Sequence, residues 1–278
     1  MNKRLLDKEA VKKLLASQKA FKSVPTIAAP IIAMANRPDA SFKELSAIIE
    51  QDKQLSARLL RIVNSGFYGL KNKVENVHHA VVLLGWNATK MIALGSSILS
   101  RMCSTDRRLF NHSMRTAQVA RFLATEASFY KVEEIAVVGL LHDFGIMMFE
   151  LFYPERYAKI RQFAIDQQVP IYIAEQELTG VDHADVGGWI LEEWNLPENI
   201  TESVARHHSF DPTNYHAKKT AVIHVADILA LAIDYKGPSW EKVPELSHPA
   251  LKILGFSESD LRDIFLTIMK MKYEPIIL

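Results

Sequence analysis

Gly139-Leu-Leu-His-Asp-Phe-Gly145 places an adjacent histidine and aspartate at the end of an apolar run that starts at Ile135. The run from Ile135 to Leu141 falls far short of the roughly 20 apolar residues a membrane span needs, and charge flanks it, which suits a buried helix. The spacing predicts one helix over 132–150; taken by itself, the glycine two residues after His-Asp would only mark a helix end. A carboxylate inside such a run needs a partner, because burying an unpaired charge is costly.

Helical periodicity continues in both directions, and strand-type alternation is nearly absent. Ser41-Phe-Lys-Glu44 reads as a capping box opening a helix with Leu45, Ile48 and Ile49 on one face. A second helix follows Asp52, with Leu55, Leu59, Leu60 and Val63 at helical spacing, until Gly66 and Gly69 interrupt the pattern. A third covers Val77 to Leu84 and stops at Gly85, and a fourth runs from Asn87 to Met102. The short polar stretch 103–107 is the best dividing point. Beyond it helices are expected at 108–130, 132–150, 154–168, 171–179, 183–194, 198–208, 217–235 and 258–273. Pro197 suits a first helical turn, and Ser257-Glu-Ser-Asp260 resembles a second capping box with Asp in the Glu place. The expected fold is all-α: an N-terminal helical subdomain over 1–105, packed on a larger helical domain over 106–278. The apolar helix from Ser257 to Tyr273 is expected to pack on its own chain.

At 278 residues, 49% hydrophobic and 23% charged, the chain has ordinary globular composition. Lys+Arg 33 against Asp+Glu 32 leaves no bulk attraction to nucleic acid or an anionic membrane, and no long basic run stands out. The single cysteine, Cys103, cannot form an internal disulfide. Together with the lack of a signal-type segment in residues 1–20, this points to a cytoplasmic protein with neither membrane nor nucleic acid as partner.

Five of the ten histidines, His112, His142, His183, His207 and His208, fall beyond the dividing point near expected helix ends. His224-Val-Ala-Asp227 lies inside an otherwise apolar helix, where Asp227 needs a partner. Singly, each has an ordinary reading: His112 a hydrogen-bonded histidine, Asp227 half of an ion pair, His207-His208 a helix C-terminal cap. Together they have the makings of a metal site. Neutral imidazole suits iron, zinc, nickel or manganese, and a carboxylate adds charge and a second oxygen that can bridge two ions. Two ions roughly 3.5–4 Å apart can activate water and clamp the oxygens of a phosphoryl group.

The order His112, His142-Asp143, Asp227 resembles the HD superfamily of metal-dependent phosphohydrolases. Over roughly residues 20–235 the chain looks more closely like an HDOD domain, an HD-related output domain. The motifs that carry this are Asp52…Leu55-Ser-Ala-Arg58-Leu-Leu, Asn64-Ser-Gly-Phe-Tyr-Gly69 and Val77-His-His-Ala-Val-Val-Leu-Leu-Gly85. They continue with Gly139 to Gly145, His183-Ala-Asp-Val-Gly187 and Trp194-Asn-Leu-Pro197. The resemblance implies that His112, His142, Asp143 and Asp227 form the first-metal set, with Asp143 also the catalytic residue of any hydrolysis. His183, His207 and His208 look like the additional histidines of HD-GYP proteins, which hydrolyse cyclic di-GMP at a multi-metal centre. The implied cofactor is one or more divalent ions of iron, manganese, zinc or nickel type.

Three positions depart from the HD-GYP pattern. Ile146 stands where a phosphate-contacting lysine is found, Ser209-Phe-Asp-Pro212 replaces the Gly-Tyr-Pro segment, and Arg108 replaces a glutamate ligand. Losing the lysine removes a transition-state cation that Arg108 or Arg115 would have to supply. The expected function is therefore a bacterial signalling output module with a metal site and little or no catalysis. Its partner would be a signalling protein acting in trans. The alternative is an active phosphohydrolase taking a nucleotide or other phosphoester. Arg58, Arg61 and Asn64 share one side of a helix, either as a solvated face with a terminal turn or as a polar contact surface.

Overall fold

The computed structural model describes residues 8–17, 30, 31, 34, 37, 39–64, 70, 72–93, 95, 106–233 and 242–271, and among these there is no strand. The labelled helices are α1 (Lys8–Ser17), α2 (Phe42–Glu50), α3 (Lys53–Val63), α4 (Val77–Leu84) and α5 (86–93). They continue with α6 (Arg107–Glu126), α7 (Val132–Leu141), α8 (Phe144–Phe152), α9 (Pro154–Gln167) and α10 (Ile171–Thr179). The last are α11 (His183–Glu193), α12 (Glu198–Ala205), α13 (Ala217–Ile233), α14 (His248–Leu254) and α15 (Glu258–Lys270). The protein is all-α, as the periodicity requires.

Local chemistry sets the ends. The capping boxes at Ser41 and Ser257 both form, the second with Asp260 as the reaching carboxylate. Asp182 and Asp185 make a third that opens α11. Gly85 ends α4 at φ 78°, in left-handed space where glycine pays no side-chain penalty. Pro197 sits at the cap of α12, one residue ahead of the first turn. The Asn64 side chain donates to the carbonyls of Leu60 (2.8 Å) and Val74 (2.7 Å) and accepts the Val74 N–H (2.7 Å). Asn64 thus works as a clamp closing the chain behind α3, the structural side of the two readings. Gly66, Gly69, Cys103 and the part of the fourth expected helix from 96 to 102 lie outside the described residues.

One expectation is corrected at the centre of the molecule. The helix expected over 132–150 is two helices, broken where Asp143 adopts φ −92°, ψ 15°. Gly145 ends neither: it lies in the first turn of α8, and a Cβ there would stand 1.9 Å from the carbonyl oxygen of His183. Its role is close approach between α8 and the start of α11. The stretch Val132–Phe152 is apolar and long enough to meet a membrane-span criterion, yet 83% of its most apolar window is buried inside the protein. The α14 helix, capped by Ser247 with Pro249 in its first turn, carries too short an apolar pattern to be foreseen.

The early helices pack on the later ones. Lys12 of α1 lies over the Trp189 ring of α11 at 4.7 Å. Lys90 Nζ donates to the Asn195 carbonyl at 2.9 Å, and a Cβ on Gly95 would meet Phe144 Cζ at 2.7 Å. Asn87 Nδ2 and Lys219 Nζ both donate to the buried Glu134, the lysine at 2.6 Å. Burial alone would raise the Glu134 pKa, but these two donors and the Lys219 charge outweigh it and hold the carboxyl below its usual range. A depressed carboxyl stabilises the fold above its unfolded pKa of about 4.3, and the contribution is lost as pH falls through the lower folded value. Glu134→Gln is expected to cost about 3 kcal/mol at neutral pH, since it leaves Lys219 without its counter-charge. The deficit should shrink as urea unfolding is repeated at pH values approaching 3.

Candidate metal centre

The break between α7 and α8 turns His142 and Asp143 inward together, both essentially inaccessible. His112 reaches them from the middle of α6 and Asp227 from the apolar α13. His183 is the first residue of α11, and His207 and His208 follow the end of α12 rather than capping it. The structure therefore brings all seven sequence-derived residues into one cluster, six of them buried and His208 partly exposed. Their ligand-type atoms fall into two tight groups: Asp143, His183, His207 and His208, and His112, His142 and Asp227.

Asp143 joins the groups. Its Oδ1 is 3.2 Å from both His142 Nε2 and His183 Nε2 and 3.8 Å from His207 Nε2, while its Oδ2 is 3.5 Å from His112 Nε2. Asp227 Oδ1 lies 3.0 Å from His112 Nε2 and 3.6 Å from His142 Nε2, and its Oδ2 lies 3.9 Å from His208 Nδ1. Ring nitrogens also face each other, His112 Nε2 and His142 Nε2 at 3.3 Å and His183 Nε2 and His208 Nε2 at 2.8 Å.

The outward nitrogens fix the rings. His142 Nδ1 donates to the Gly139 carbonyl at 2.8 Å and His207 Nδ1 to the Val204 carbonyl at 2.6 Å. That places the lone pair of each neutral imidazole on Nε2, pointing into the cluster. His207 Nε2 is buried with no hydrogen-bond partner among the described residues. A buried orphan nitrogen among converging imidazoles and carboxylates has the donor character of a divalent-metal site, and the residues fit such an ion.

Charge within the cluster is unevenly shared. Burial opposes a charged His142, yet the Asp143 and Asp227 carboxylates outweigh it and push its pKa up to about 10. His183 moves the same way, against burial, through Glu175 and Asp143. Burial and the charges of His142 and His183 push His207 down to about 3, and His208 is lowered by burial and by His207 and His183. Both aspartates stay far below their usual range despite burial.

Several contributors were not visible in the motifs. Glu175 is fully buried and accepts the backbone N–H of His183 at 2.8 Å and its Nδ1–H at 2.7 Å, while Tyr157 Oη donates to its other oxygen at 2.7 Å. Its signal was present: Ile171, Ala174 and Leu178 form the buried stripe of α10, and a glutamate shares it. The Tyr172 ring stacks on His208 at 4.3 Å. His224 is not part of the cluster: its Nδ1 donates to the His207 carbonyl and its Nε2 accepts the Ser247 N–H, so both nitrogens are spent on positioning. The three departures also resolve. Ile146 is fully buried, Arg108 is exposed in the first turn of α6, and Phe210 stacks on the His224 ring.

Comparison with known proteins follows the same outline. A 1.90 Å crystal structure of an HDOD domain protein with unknown function from Geobacter sulfurreducens superposes with TM-score 0.66 at 23% identity, covering 95% of this chain and 100% of that one. A candidate signal transduction protein from Marinobacter aquaeolei gives 0.68 at 20%, covering 89% and 56%. A candidate phosphohydrolase from Shewanella amazonensis gives 0.65 at 21%, covering 91% and 93%. At these identities the likeness is one of fold. An uncharacterized Treponema pallidum protein is 27% identical over 176 residues, 62% of this chain; the chain spans only 34% of that relative's length. The HDOD domain model matches residues 21–210, and the chain belongs to the HDOD domain family.

Proposed function

We propose that the chain is a cytoplasmic signal-transduction output module that works through protein contacts, with a divalent-metal site serving the fold more than catalysis. The observation that carries this reading is the burial of the cluster: His142 and His207 are 0% exposed, His183 1% and Asp143 3%. A phosphoester needs an approach to the reacting centre, and side chains this enclosed are poised to tie helices together. An ion in one group would link α6, α7 and α13 and an ion in the other would link Asp143 and α11 with the turn after α12, each contributing folding free energy as structural metals do. Ile146 supports the same view, since it is packed in the core at the place where a phosphate-binding cation would be needed. The partner would be a signalling protein acting in trans.

The second reading, a working phosphohydrolase, is favoured by one feature: Asp143 reaches both ligand groups, Oδ1 lying 3.2 Å from His142 and His183 and Oδ2 3.5 Å from His112, so this carboxylate could be shared between two ions. There Asp143 and Asp227 with the five histidines would hold the ions, and divalent cations would supply Lewis acidity toward phosphoryl oxygens. Metal analysis of chain purified without chelator, followed by a phosphodiester and phosphomonoester screen with added manganese or iron, separates the two. The module reading expects bound metal and no turnover above background. Turnover abolished by Asp143→Ala would overturn it.

A further inference from the structure

The ring supports behind the histidines are unequal. His142 and His207 each rest on a neutral backbone carbonyl three residues earlier in their own segment, Gly139 and Val204. Of these three, His183 is the one that rests on a carboxylate, and one delivered by a different helix. A carboxylate partner holds the proton on Nδ1, keeps the lone pair on Nε2, and makes that nitrogen a stronger donor than a carbonyl does. Glu175 is itself held in place: one oxygen takes both His183 donors, the first N–H of α11 included, and the other takes the Tyr157 hydroxyl. Full burial makes this costly unless a positive charge balances it, and Glu175 is held by a peptide N–H, a phenol and the imidazole. The His183 ring can itself carry that charge, and a cation bound at its Nε2 would take the place of the proton there.

Asp143 reaches both ligand groups, so each half can draw on four potential donors, and the carboxylate behind His183 is what distinguishes them.

Resting on the reading that the cluster holds divalent cations, we infer that Glu175 is a positioning residue that makes the Asp143–His183–His207–His208 half the tighter of two unequal sites, the one filled first. Glu175 touches no ion in this arrangement; it acts through His183, and Tyr157 holds it on line.

The test uses the full chain, stripped with chelator and titrated with Co²⁺, followed by visible absorption and by stoichiometry. Wild type is expected to take up cobalt in two classes of different affinity. Glu175→Gln keeps a side chain that can accept from His183 and pair with Tyr157, but removes the charge. It should weaken the tight class by about 10–100-fold, change that class's absorption bands, and leave the weak class in place. His142→Ala should delete the weak class. Tyr157→Phe, which retains the Glu175 charge, should shift the tight class alone, in the same direction and by less. A purely structural Glu175 would lower thermal stability without moving one class relative to the other. Equal weakening of both classes, or none, in Glu175→Gln or Tyr157→Phe overturns the inference and leaves the metal reading standing. A wild type that binds no cobalt overturns both.

Discussion

Gly145→Ala is expected to disrupt the centre of the molecule more than any other single-methyl change. The added Cβ would stand 1.9 Å from the His183 carbonyl oxygen, 2.7 Å from its carbon and 2.8 Å from its Cα. All three atoms belong to backbone, so no rotamer change relieves the overlap; α8 and α11 must separate. Overpacking usually costs about 1–3 kcal/mol, and a clash this deep against main chain belongs above that range, at about 4 kcal/mol or more. In a domain of this size that lowers Tm by on the order of 10 °C. Because the displaced residue is His183, cobalt binding should fall as well. Gly85 is the control: it has φ 78° and nothing within 4 Å of an added Cβ, so alanine there should cost only left-handed strain, about 1 kcal/mol. Paired thermal melts decide the matter, and equal losses at the two positions would refute the steric account.

Asp227→Ala is the second large effect. It removes the carboxylate 3.0 Å from His112 and 3.6 Å from His142, leaving a charged imidazole in the core beside Asp143 without its second counter-charge. Breaking a buried pair in this way costs roughly 3–5 kcal/mol. The pH dependence carries the signature. Burial opposes the Asp227 charge, but hydrogen bonds and charge from His112 and His142 overcome it, so its folded pKa is depressed. That contribution is present above the unfolded value of about 3.9 and disappears as pH falls through the folded one. His142 is raised to about 10, so its contribution is complete below the unfolded value and declines as pH rises through 10. Chelator-treated wild type should therefore gain most from this pair between about pH 4 and 6.5. Asp227→Ala should flatten that maximum in urea unfolding, and an unchanged profile would show that the pair is not coupled.

Helix type and most boundaries could be read from the sequence because local signals set them: Ser41 and Ser257 boxes, Gly85, and the apolar stripes of α3 and α10. The membership of the cluster was legible through the joint pattern and the family resemblance, since singly each histidine and aspartate had an ordinary reading. What escaped depends on contacts between distant segments. Periodicity carries no record that Asp143 breaks one long apolar helix into two, because the break is set by what surrounds the pair. The glycine at 145 reads locally as a helix stop, while its cause is the His183 carbonyl 38 residues later, 183 minus 145. Glu175 gave a local sign, a glutamate on a buried stripe, but its partner lies on another helix.

The seam between early and late helices bears on how such a chain can be recombined. Gly95 is packed on Phe144, whose ring meets Trp194 edge-on at 6.1 Å, and Lys90 binds the carbonyl of the next residue, Asn195. Phe144 directly follows Asp143 of the buried cluster. A front half grafted from a relative with a bulkier residue at 95 would press on that ring and so shift the geometry of the histidine and aspartate cluster without altering one of its residues. The unit of exchange is thus the pair of halves with its seam, and a cut at 103–107, convenient in the sequence, divides what the packing has made inseparable.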